Sequence, residues 1–445
     1  MELKGKKVLV LGMGETGISA ARWLQSIGAE VFAADSRENP PRAADLKLPI
    51  ATGPFKHELL DKADLVVVSP GLSLKEPVII EAIKRNIPVA GDVELFAMEI
   101  AKRNPAPIVI AITGSNGKST VTSMVGEMCR KAGLETVVAG NIGLPVLDTL
   151  DRNPSAYVLE LSSFQLETLN SLNAKAAVVL NLSEDHLDRY DSMNDYGRAK
   201  SAIFKGDGVQ VLNRDDKATM AMRLPGRKMV SFGLSSPRGE SEYGLSDGWL
   251  MKGERRLMQA SSLKVAGLHN VLNALASLAL CSVLDVPEEA LAGALSEFSG
   301  LPHRVEKIGE IGGVAFYDDS KGTNVGATVA ALVGLPAKSV LILGGEGKGQ
   351  DFSPLKTAVE NHSRAVVLIG RDASIIERAI AGVSIPIMHA SSMDEAVDKA
   401  FYTAKTGDAV LLSPACASFD MFRNYVHRAE AFSAAFKRLE TCTPR

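Results

Sequence analysis

A short β-branched run, a turn with glycine or asparagine, and a helical pattern follow one another repeatedly along this chain. This alternation constrains the fold most, because strands that alternate with helices build parallel sheets covered by helices. Ligands of such sheets gather at the carboxyl ends of the strands. The pattern therefore predicts an α/β protein. The candidate strands are Val8–Leu11, Val31–Ala34, Leu65–Val68, Ile108–Ile112, Tyr157–Leu161, Ala177–Leu180, Val209–Leu212, Val340–Leu343, Ala365–Ile369 and Ala409–Leu412.

The length of 445 residues predicts three domains, at roughly 150 residues per domain. We predict an N-terminal Rossmann-like domain at 1–94, a central P-loop mononucleotide-binding α/β domain at 95–299 and a C-terminal Rossmann-like domain at 300–445. Inside the central domain, residues 233–262 are expected to form irregular hairpins or loops. A long helix from about Asn270 to Leu284 is expected to close that domain.

The composition excludes several classes of partner. Lysine and arginine number 49 against 52 aspartate and glutamate residues, so the net charge is −3 and no basic field favours nucleic acid. No apolar run approaches the ~20 residues that cross a bilayer, so we expect no membrane insertion. Four scattered cysteines are too few for a disulfide framework or a clustered metal site, and they fit a reducing compartment. We therefore expect a cytoplasmic protein.

The first phosphate-binding signal is the run Gly12–Gly17, which follows a candidate strand and opens a helix. Asp35 ends the next strand, as in the dinucleotide-binding pattern, where the acid accepts from a ribose hydroxyl. The residues Asp35-Ser36-Arg37 could equally hold a nucleotide base and sugar. Close packing of helix against strand can also require glycine. This motif predicts a nucleotide-like ligand and leaves the chemistry open.

The second signal, Gly114–Thr120, is more specific. Backbone N–H groups of such a loop can surround a phosphate, while Lys118 reaches the β- and γ-phosphates and Ser119 ligates Mg²⁺. The general phosphate-loop pattern is not fully met, because Ile112 stands where its first glycine should be. The prediction is ATP, with the loop contacts Gly114, Ser115, Asn116, Gly117, Lys118, Ser119 and Thr120.

A carboxylate and a histidine follow other strands of the central block. Glu160 ends one strand, and His186 lies in the segment Asn181–Tyr190 after another. Both strand ends should point toward the crevice that holds the phosphate loop, so both side chains are candidate Mg²⁺ ligands. The acids around His186 have a second interpretation, a helix N-terminal turn that complements the helix dipole. From local sequence alone, Lys200 is an ordinary solvated helix lysine.

Taken together, these features resemble the Mur ligase family, ATP-dependent amide-forming enzymes of peptidoglycan synthesis. The two segments 318–324 and 413–420 are most similar to the member that adds D-glutamate to UDP-N-acetylmuramoyl-L-alanine. The matching motifs run in order along essentially the whole chain. They are Gly114–Thr120, Gly140–Gly143, Leu159–Ser163, Asp185–Asp188, Lys200, Gly267–Asn270 with Asn273, and Pro302–Arg304, with Gly12–Gly17 and Ser69–Gly71 fitting the first block.

The resemblance implies roles for particular residues. Catalytic residues would be Lys118, Glu160, His186 and Lys200. Mg²⁺ ligands would be Ser119, Glu160, His186 and Lys200. The remaining ATP contacts would be Asn270, Asn273, Arg304 and Asp319. The UDP-substrate contacts would be Thr16, Asp35, Ser36, Arg37, Gly71, Asn141 and His186. The D-glutamate contacts would be Lys321, Thr323, Lys348, Ser418 and Tyr425, where Tyr425 stands in place of an expected phenylalanine.

The family also implies that Lys200 is carbamylated. An ordinary lysine of pKa ~10.4 is neutral in only about one molecule in 2,500 at pH 7, a gap of ~4.6 kcal/mol. Only the neutral amine adds CO₂, so burial beside other cations or capture of the product by metal must offset this gap. The carbamate converts a cation into an anion with the oxygen donors that Mg²⁺ prefers.

The glycine-rich segment Gly344–Gln350 also follows a strand and could pass for a third nucleotide loop. It lacks the serine or threonine after Lys348 that would hold a metal ion. Given the resemblance, a carboxylate of the substrate is the better ligand for this segment. We expect the protein to act as a monomer on its small-molecule substrates.

Three alternatives remain open from the residues. An NAD-dependent oxidoreductase would explain Gly12–Gly17 but would not explain the phosphate-binding loop Gly114–Thr120. A nucleotide switch or transport ATPase would need Lys118 but not Lys321 or Lys348. Another Mur ligase, or a folylpolyglutamate synthetase, would share the phosphate chemistry without the segments 318–324 and 413–420.

Overall fold

The computed structural model describes residues 2–40, 46–186, 189–265 and 267–442. They form three sheets with helices between the strands, which confirms the predicted α/β class. Among the described helices, none is both long and apolar enough to span a membrane. The described chain divides into two compact units. The first comprises Met1–Leu182, Asn194–Met258 and Ala274–Leu295, and the second comprises Ser183–Met193, Gln259–Asn273 and Ser296–Arg445.

The first sheet lies in the N-terminal segment and has the order β3-β2-β1-β4-β5, with every pair of neighbours parallel. Its central strand is a buried β-branched run, as the sequence predicts. The strands are β1 (Lys7–Leu11), β2 (Glu30–Asp35), β3 (Ile50–Thr52), β4 (Leu65–Val68) and β5 (Val89–Ala90). The helices are α1 (Glu15–Ser26), α2 (Pro77–Lys84) and α3 (Asp92–Ile100).

The second sheet belongs to the central segment and has the order β14-β13-β12-β11-β10-β9-β6-β8-β7. Its central pairs are parallel, and β12 with β13 is antiparallel. The strands are β6 (Ile108–Thr113), β7 (Thr136–Gly140), β8 (Ala156–Glu160), β9 (Ala176–Val179), β10 (Val209–Asn213), β11 (Met229–Phe232), β12 (Glu242–Ser246), β13 (Trp249–Lys252) and β14 (Arg255–Gln259). The helices are α4 (Lys118–Lys131), α5 (Ser163–Leu166), α6 (Met193–Ser201), α7 (Lys217–Met220), α8 (Leu268–Cys281) and α9 (Glu288–Glu297).

The third sheet has the order β15-β16-β20-β17-β18-β19 and is parallel except for its edge pair β15 and β16. The strands are β15 (Glu306–Ile311), β16 (Val314–Asp318), β17 (Ser339–Gly344), β18 (Ser363–Ile369), β19 (Ile387–His389) and β20 (Ala409–Leu412). The helices are α10 (Val325–Gly334), α11 (Leu355–His362), α12 (Ala373–Ala379), α13 (Met393–Thr403) and α14 (Tyr425–Cys442).

Most predicted elements agree with these bounds. Residues 233–262, expected to be irregular hairpins or loops, contain β12, β13 and β14, which extend the second sheet. The long helix predicted from Asn270 to Leu284 begins and ends a few residues earlier, as α8. Each of the three predicted domains contains one of the sheets, but the boundaries at 94/95 and 299/300 stay predictions.

Two acids in the first turn of α3 attach this helix to the chain after β8. Glu94 accepts hydrogen bonds from the backbone N–H groups of Asn170 and Ser171 at 2.7 and 2.9 Å. Asp92 is 2% exposed and accepts from the side-chain amide of Gln165 at 3.2 Å. Because burial disfavours the charged form, the pKa of Asp92 rises to about 6.

Replacing Asp92 with asparagine is expected to change how the free energy of unfolding depends on pH. The folded chain keeps this proton up to about pH 6, whereas an ordinary aspartate releases it near 3.8. The stabilisation from the neutral acid is therefore complete below about pH 4 and is lost as the pH rises through 6. Above pH 7, we expect Asp92→Asn to be more stable than the wild type by about 1–3 kcal/mol.

Urea unfolding of both proteins between pH 4 and 8 measures this difference. The exposed Asp285, replaced in the same way, serves as the control and should follow the wild-type pH profile. Parallel pH profiles for Asp92→Asn and the wild type would contradict the prediction.

Candidate active site

The phosphate loop joins β6 to α4 in the first unit. The helix begins at Lys118, so the loop opens directly onto a helix N-terminus where anions are favoured. Gly114 has φ of 155°, and a Cβ atom there would lie 2.9 Å from the Cβ of Leu180. Glycine is therefore required at this turn both by its backbone conformation and by the close approach of the neighbouring strand.

The side chain of Lys118 bends back over the phosphate loop. Its ammonium donates to the carbonyl oxygens of Gly114 and Ser115, each at 2.8 Å. Ser119 and Thr120, which follow on the helix, are buried. A triphosphate bound at the helix end would offer charged oxygens to the same ammonium in place of neutral carbonyls.

Asn181, a residue that the sequence analysis did not single out, holds the phosphate loop from the next strand. Its side-chain oxygen accepts from the backbone N–H of Asn116 at 2.8 Å, and its amide donates to the Asn116 carbonyl at 3.1 Å. The Ser115 N–H donates to the Asn181 carbonyl at 3.0 Å. A polar residue two positions after the end of β9 is the signal that could have pointed to this contact.

Glu160 ends β8, directly beside β6 in the sheet. Its Oε1 accepts from the side-chain amide of Asn141 at 2.7 Å, and its backbone carbonyl accepts from the Asn141 N–H at 2.8 Å. The other carboxylate oxygen, Oε2, is buried, and no described residue donates a hydrogen bond to it. A buried carboxylate oxygen without a donor fits a cation such as Mg²⁺, which prefers oxygen ligands.

Lys200 is buried on α6, with 1% of its surface exposed, so the solvated helix lysine of the local interpretation is wrong. Its ammonium donates to the Gly114 carbonyl at 3.0 Å and to the Thr113 hydroxyl at 3.3 Å. It also lies 4.6 Å from the centre of the Tyr196 ring. The structure thus places Lys200 at the start of the phosphate loop.

Five of the predicted UDP contacts follow strands of the first sheet, and they are Thr16 after β1, Asp35, Ser36 and Arg37 at the end of β2, and Gly71 after β4. A Cβ atom on Gly17 would lie 1.9 Å from the Gly12 carbonyl oxygen, so packing of α1 against the strand already requires this glycine. Thr16 is in the first turn of α1, and Gly71 is in the turn after β4.

The Asp35 carboxylate already has hydrogen-bond partners within the protein. Its carboxylate accepts from the Met13 N–H at 2.7 Å and from the backbone and guanidinium of Arg37 at 2.6–2.9 Å. The hydrogen bonds from Arg37 lower the pKa of this carboxyl to about 2. The Asp35 carboxylate already accepts from four donors, which is about its full capacity. A ribose hydroxyl could therefore bind to it only after Arg37 has released it. The UDP roles of Asp35, Ser36 and Arg37 stay predictions.

In the second unit, three loops follow three adjacent parallel strands, β16, β20 and β17. They are residues 318–324, 413–420 and 344–350, the segments predicted to bind D-glutamate. Backbone hydrogen bonds connect Ala415 with Gly322 and join Glu346 to Ala417 in both directions. Because the carboxyl ends of neighbouring strands meet at one edge, the fold brings these three segments together.

The predicted D-glutamate side chains lie on these loops and on the start of α14. The Lys321 ammonium is 3.8 Å from the centre of the Tyr425 ring, a cation–π contact that the tyrosine keeps in place of phenylalanine. The Thr323 N–H donates to the Lys321 carbonyl at 2.9 Å, and Ser418 is buried. The Lys348 ammonium lies 3.7 Å from Asp185, an acid that a substrate carboxylate would replace as its partner.

The predicted nucleotide contacts of the second unit include one buried acid, Asp319. Asp319 is buried and accepts from the Ser413 hydroxyl at 2.6 Å, and burial raises its pKa to about 7, against the positive charge of Arg304. Asn270 and Asn273 are three residues apart on α8 and therefore lie on one face of the helix, where the Asn273 amide donates to the Asn270 side-chain oxygen at 3.3 Å.

His186 also belongs to the second unit. It has φ of 56°, and its backbone N–H donates to Asp185 at 3.0 Å. The next residues of its motif, Leu187 and Asp188, lie outside the described residues. The structure brings Lys118, Glu160, Asn141 and Lys200 together in the first unit, and the shared metal site of Glu160 and His186 stays a prediction.

Three family models match consecutive parts of the chain. "Mur ligase MurD-like, N-terminal domain" matches residues 6–91, "Mur ligase middle domain" matches 112–281, and "Mur ligase, glutamate ligase domain" matches 303–416. Solved structures share the fold. A pseudomurein peptide ligase type C from Methanothermus fervidus has a TM-score of 0.64 at 19% identity, covering 98% of this chain and 100% of that one. The UDP-N-acetylmuramate-alanine ligase MurC of Thermotoga maritima has a TM-score of 0.61 at 20% identity, with 98% and 100% covered.

Curated relatives are similar along the whole chain. The UDP-N-acetylmuramoylalanine--D-glutamate ligase of Thiobacillus denitrificans is 57% identical, over 99% of this chain and 98% of the relative. The enzyme of the same name from Methylobacillus flagellatus is 54% identical, with 99% and 98% covered. Identity at this level over full length, added to a phosphate loop and three converging loops in the expected places, shows that the chain belongs to the Mur ligase family.

Proposed function

We propose that this chain is an ATP-dependent ligase that joins D-glutamate to the L-alanyl carboxylate of UDP-N-acetylmuramoyl-L-alanine, a step of peptidoglycan precursor synthesis. The other products are ADP and phosphate. The observation that carries the proposal is the arrangement around β6, where the phosphate loop with Lys118 lies beside Glu160 and the buried Lys200. Relatives at 57% and 54% identity bear the name of this ligase.

The reaction needs ATP because a carboxylate is a poor electrophile. A carboxylate oxygen of the L-alanyl group attacks the γ-phosphorus, the bond to the β–γ bridging oxygen breaks, and ADP leaves. The acyl phosphate that results has phosphate as its leaving group. The D-glutamate amine then attacks the carbonyl carbon, and the tetrahedral intermediate collapses to amide and phosphate as the amine loses its proton.

The residues around the phosphate loop stabilise the charge that moves in the first step. The Lys118 ammonium leaves the carbonyls of Gly114 and Ser115 for the phosphate oxygens, and the N-terminus of α4 directs its N–H groups to them. These groups stand ready before the reaction, so they need little reorganisation when charge develops. The remaining ATP contacts in the proposal are Asn270, Asn273, Arg304 and Asp319.

We assign the Mg²⁺ ligands to Ser119, Glu160, His186 and the carbamate of Lys200. The buried Oε2 of Glu160, which lacks a donor among the described residues, supports this assignment. The bound ion would neutralise charge on the phosphates. The carbamate forms when the neutral Lys200 amine attacks CO₂: one N–C bond forms, one C=O π bond breaks to leave its electron pair on oxygen, and the nitrogen releases one proton. Burial of Lys200 supports this step, because burial disfavours a charged ammonium.

The two substrates occupy different sheets in this proposal. Thr16, Asp35, Ser36, Arg37, Gly71, Asn141 and His186 hold the UDP-substrate. Lys321, Thr323, Lys348, Ser418 and Tyr425 hold D-glutamate, whose two carboxylates suit ammonium and hydroxyl donors. We also place the enzyme in the cytoplasm, which its four free cysteines support, and propose that it acts as a monomer.

Phosphate release from ATP tests the proposal. The UDP-muramoyl-alanine acceptor is combined in turn with D-glutamate, L-glutamate, D-aspartate and diaminopimelate. We expect release with D-glutamate and only background release with the other amino acids. Release that is independent of both co-substrates would contradict a ligase, and release with another amino acid would contradict the proposed substrate.

A further inference from the structure

Arg428 is the largest fully buried side chain of the described chain, with 1% of its surface exposed. It lies on α14 three residues after Tyr425, on a helix face that also buries Ala429, Phe432 and Leu439. Burial lowers its pKa to about 10, so the guanidinium stays charged at neutral pH. Neither the phosphate chemistry nor the predicted substrate contacts account for a cation at this place.

The guanidinium donates every one of its described hydrogen bonds to two of the D-glutamate segments. Its Nε donates to the Ser320 hydroxyl at 3.0 Å, and one terminal nitrogen donates to the Ser320 carbonyl at 2.9 Å. The other terminal nitrogen donates to the Cys416 carbonyl at 3.1 Å. The Ser320 hydroxyl in turn donates to the Tyr425 carbonyl at 2.8 Å. Arg428 therefore connects the loops after β16 and β20 with the start of α14.

Each of these anchor points lies close in the chain to a predicted D-glutamate contact. Ser320 directly precedes Lys321, and Cys416 lies two residues before Ser418. Tyr425 itself carries the ring under the Lys321 ammonium. A shift of either loop would move an ammonium or a hydroxyl relative to the ring, and displacements of about 1 Å are enough to impair a binding site.

A role in packing alone would not select arginine here. An apolar side chain of similar volume would fill the same space, but it would leave the acceptors of Ser320 and Cys416 buried without a donor. Lysine keeps the charge but has only one nitrogen. That single ammonium cannot contact the two Ser320 acceptors and the Cys416 carbonyl at once, as the three nitrogens of the planar guanidinium do. What arginine supplies is the simultaneous connection of separate segments.

We propose that Arg428 is a positioning residue for D-glutamate, which holds Lys321, Ser418 and Tyr425 in their relative places through Ser320 and Cys416. This inference rests on the proposed function, since it assigns the pocket to D-glutamate. It predicts a defect specific to one of the three substrates.

The test compares Arg428→Lys and Arg428→Met with the wild type. The KM values for D-glutamate, ATP and the UDP-substrate are measured separately, with thermal unfolding as a check on folding. We expect the KM for D-glutamate to rise about 10- to 100-fold in both variants, while the other two KM values stay within about threefold. Arg438→Lys, on the exposed side of the same helix, is the matched control and should leave all three KM values unchanged.

Ser320→Ala extends the test to a milder change. It removes the hydroxyl that accepts from Arg428 and donates to Tyr425 but leaves the backbone carbonyl contact. We expect a smaller rise in the same KM, of about 3- to 10-fold. If both Arg428 variants fail to fold, the KM of Ser320→Ala for D-glutamate tests the positioning role of Arg428.

The outcomes separate the two proposals. An unchanged KM for D-glutamate in a folded variant, or an equal rise in all three KM values, would overturn the role of Arg428. A wild-type enzyme that does not use D-glutamate would overturn the proposed function instead.

Discussion

Replacing Lys118 with alanine is expected to lower kcat by about 10²–10³-fold. The ammonium sits at the mouth of the phosphate loop, 2.8 Å from the carbonyls of Gly114 and Ser115, where the β- and γ-phosphates would bind. Without it, the negative charge that moves to the bridging oxygen during phosphoryl transfer loses a stabilising cation. Steady-state phosphate release with both co-substrates saturating measures the loss.

Lys131→Ala provides the control for this variant, because Lys131 is exposed in the last turn of the same helix. It should keep wild-type kcat. Both variants should unfold at the wild-type temperature, since Lys118 is only half-buried and lies over its own loop. A Lys118→Ala enzyme that forms the amide at the wild-type rate would refute the central role of this loop.

Replacing Lys200 with alanine is expected to have an effect of similar size, about 10²–10³-fold in kcat. The reason is different, because the reactive form in our proposal is the carbamate anion, which supplies oxygen to the metal ion. In the structure the amine donates to the Gly114 carbonyl and the Thr113 hydroxyl, so its loss also loosens the start of the phosphate loop. Kinetics alone would not separate these two roles.

A spectroscopic measurement separates them. Enzyme incubated with ¹³C-bicarbonate should show a carbamate carbon signal in its NMR spectrum. Lys200→Arg, which keeps a positive charge but forms no stable carbamate, should lack that signal and be as inactive as Lys200→Ala. A wild-type spectrum without the signal, recorded on fully active enzyme, would contradict carbamylation.

The elements around the phosphate loop were predictable because their signals are local. The predicted strands Ile108–Ile112 and Tyr157–Leu161 match β6 and β8 apart from single residues at their ends. Their hydrophobic pattern, turn residues and helix signals all lie within a short stretch of chain. The same holds for Glu160 and Asp35, which end strands as expected.

The partners of these residues were not predictable in the same way. The Met13 N–H donates to the Asp35 carboxylate from 22 residues away, and Asn181 holds the phosphate loop from a different strand. Asn181 and Asn116 are 65 residues apart in the chain. Only the order of strands in the sheet brings them together, and a local pattern carries little information about that order.

The α/β class, the place of the phosphate loop and, through resemblance, the family all follow from the order of the amino acids. These conclusions depend on residues that are neighbours in the chain. Two other facts required the folded structure: Lys200 is buried against Gly114, 86 residues away, and Arg428 joins Ser320, 108 residues away. The physical reason is that burial and hydrogen bonding over such separations are set by the packing of whole sheets and helices, after the local elements have formed.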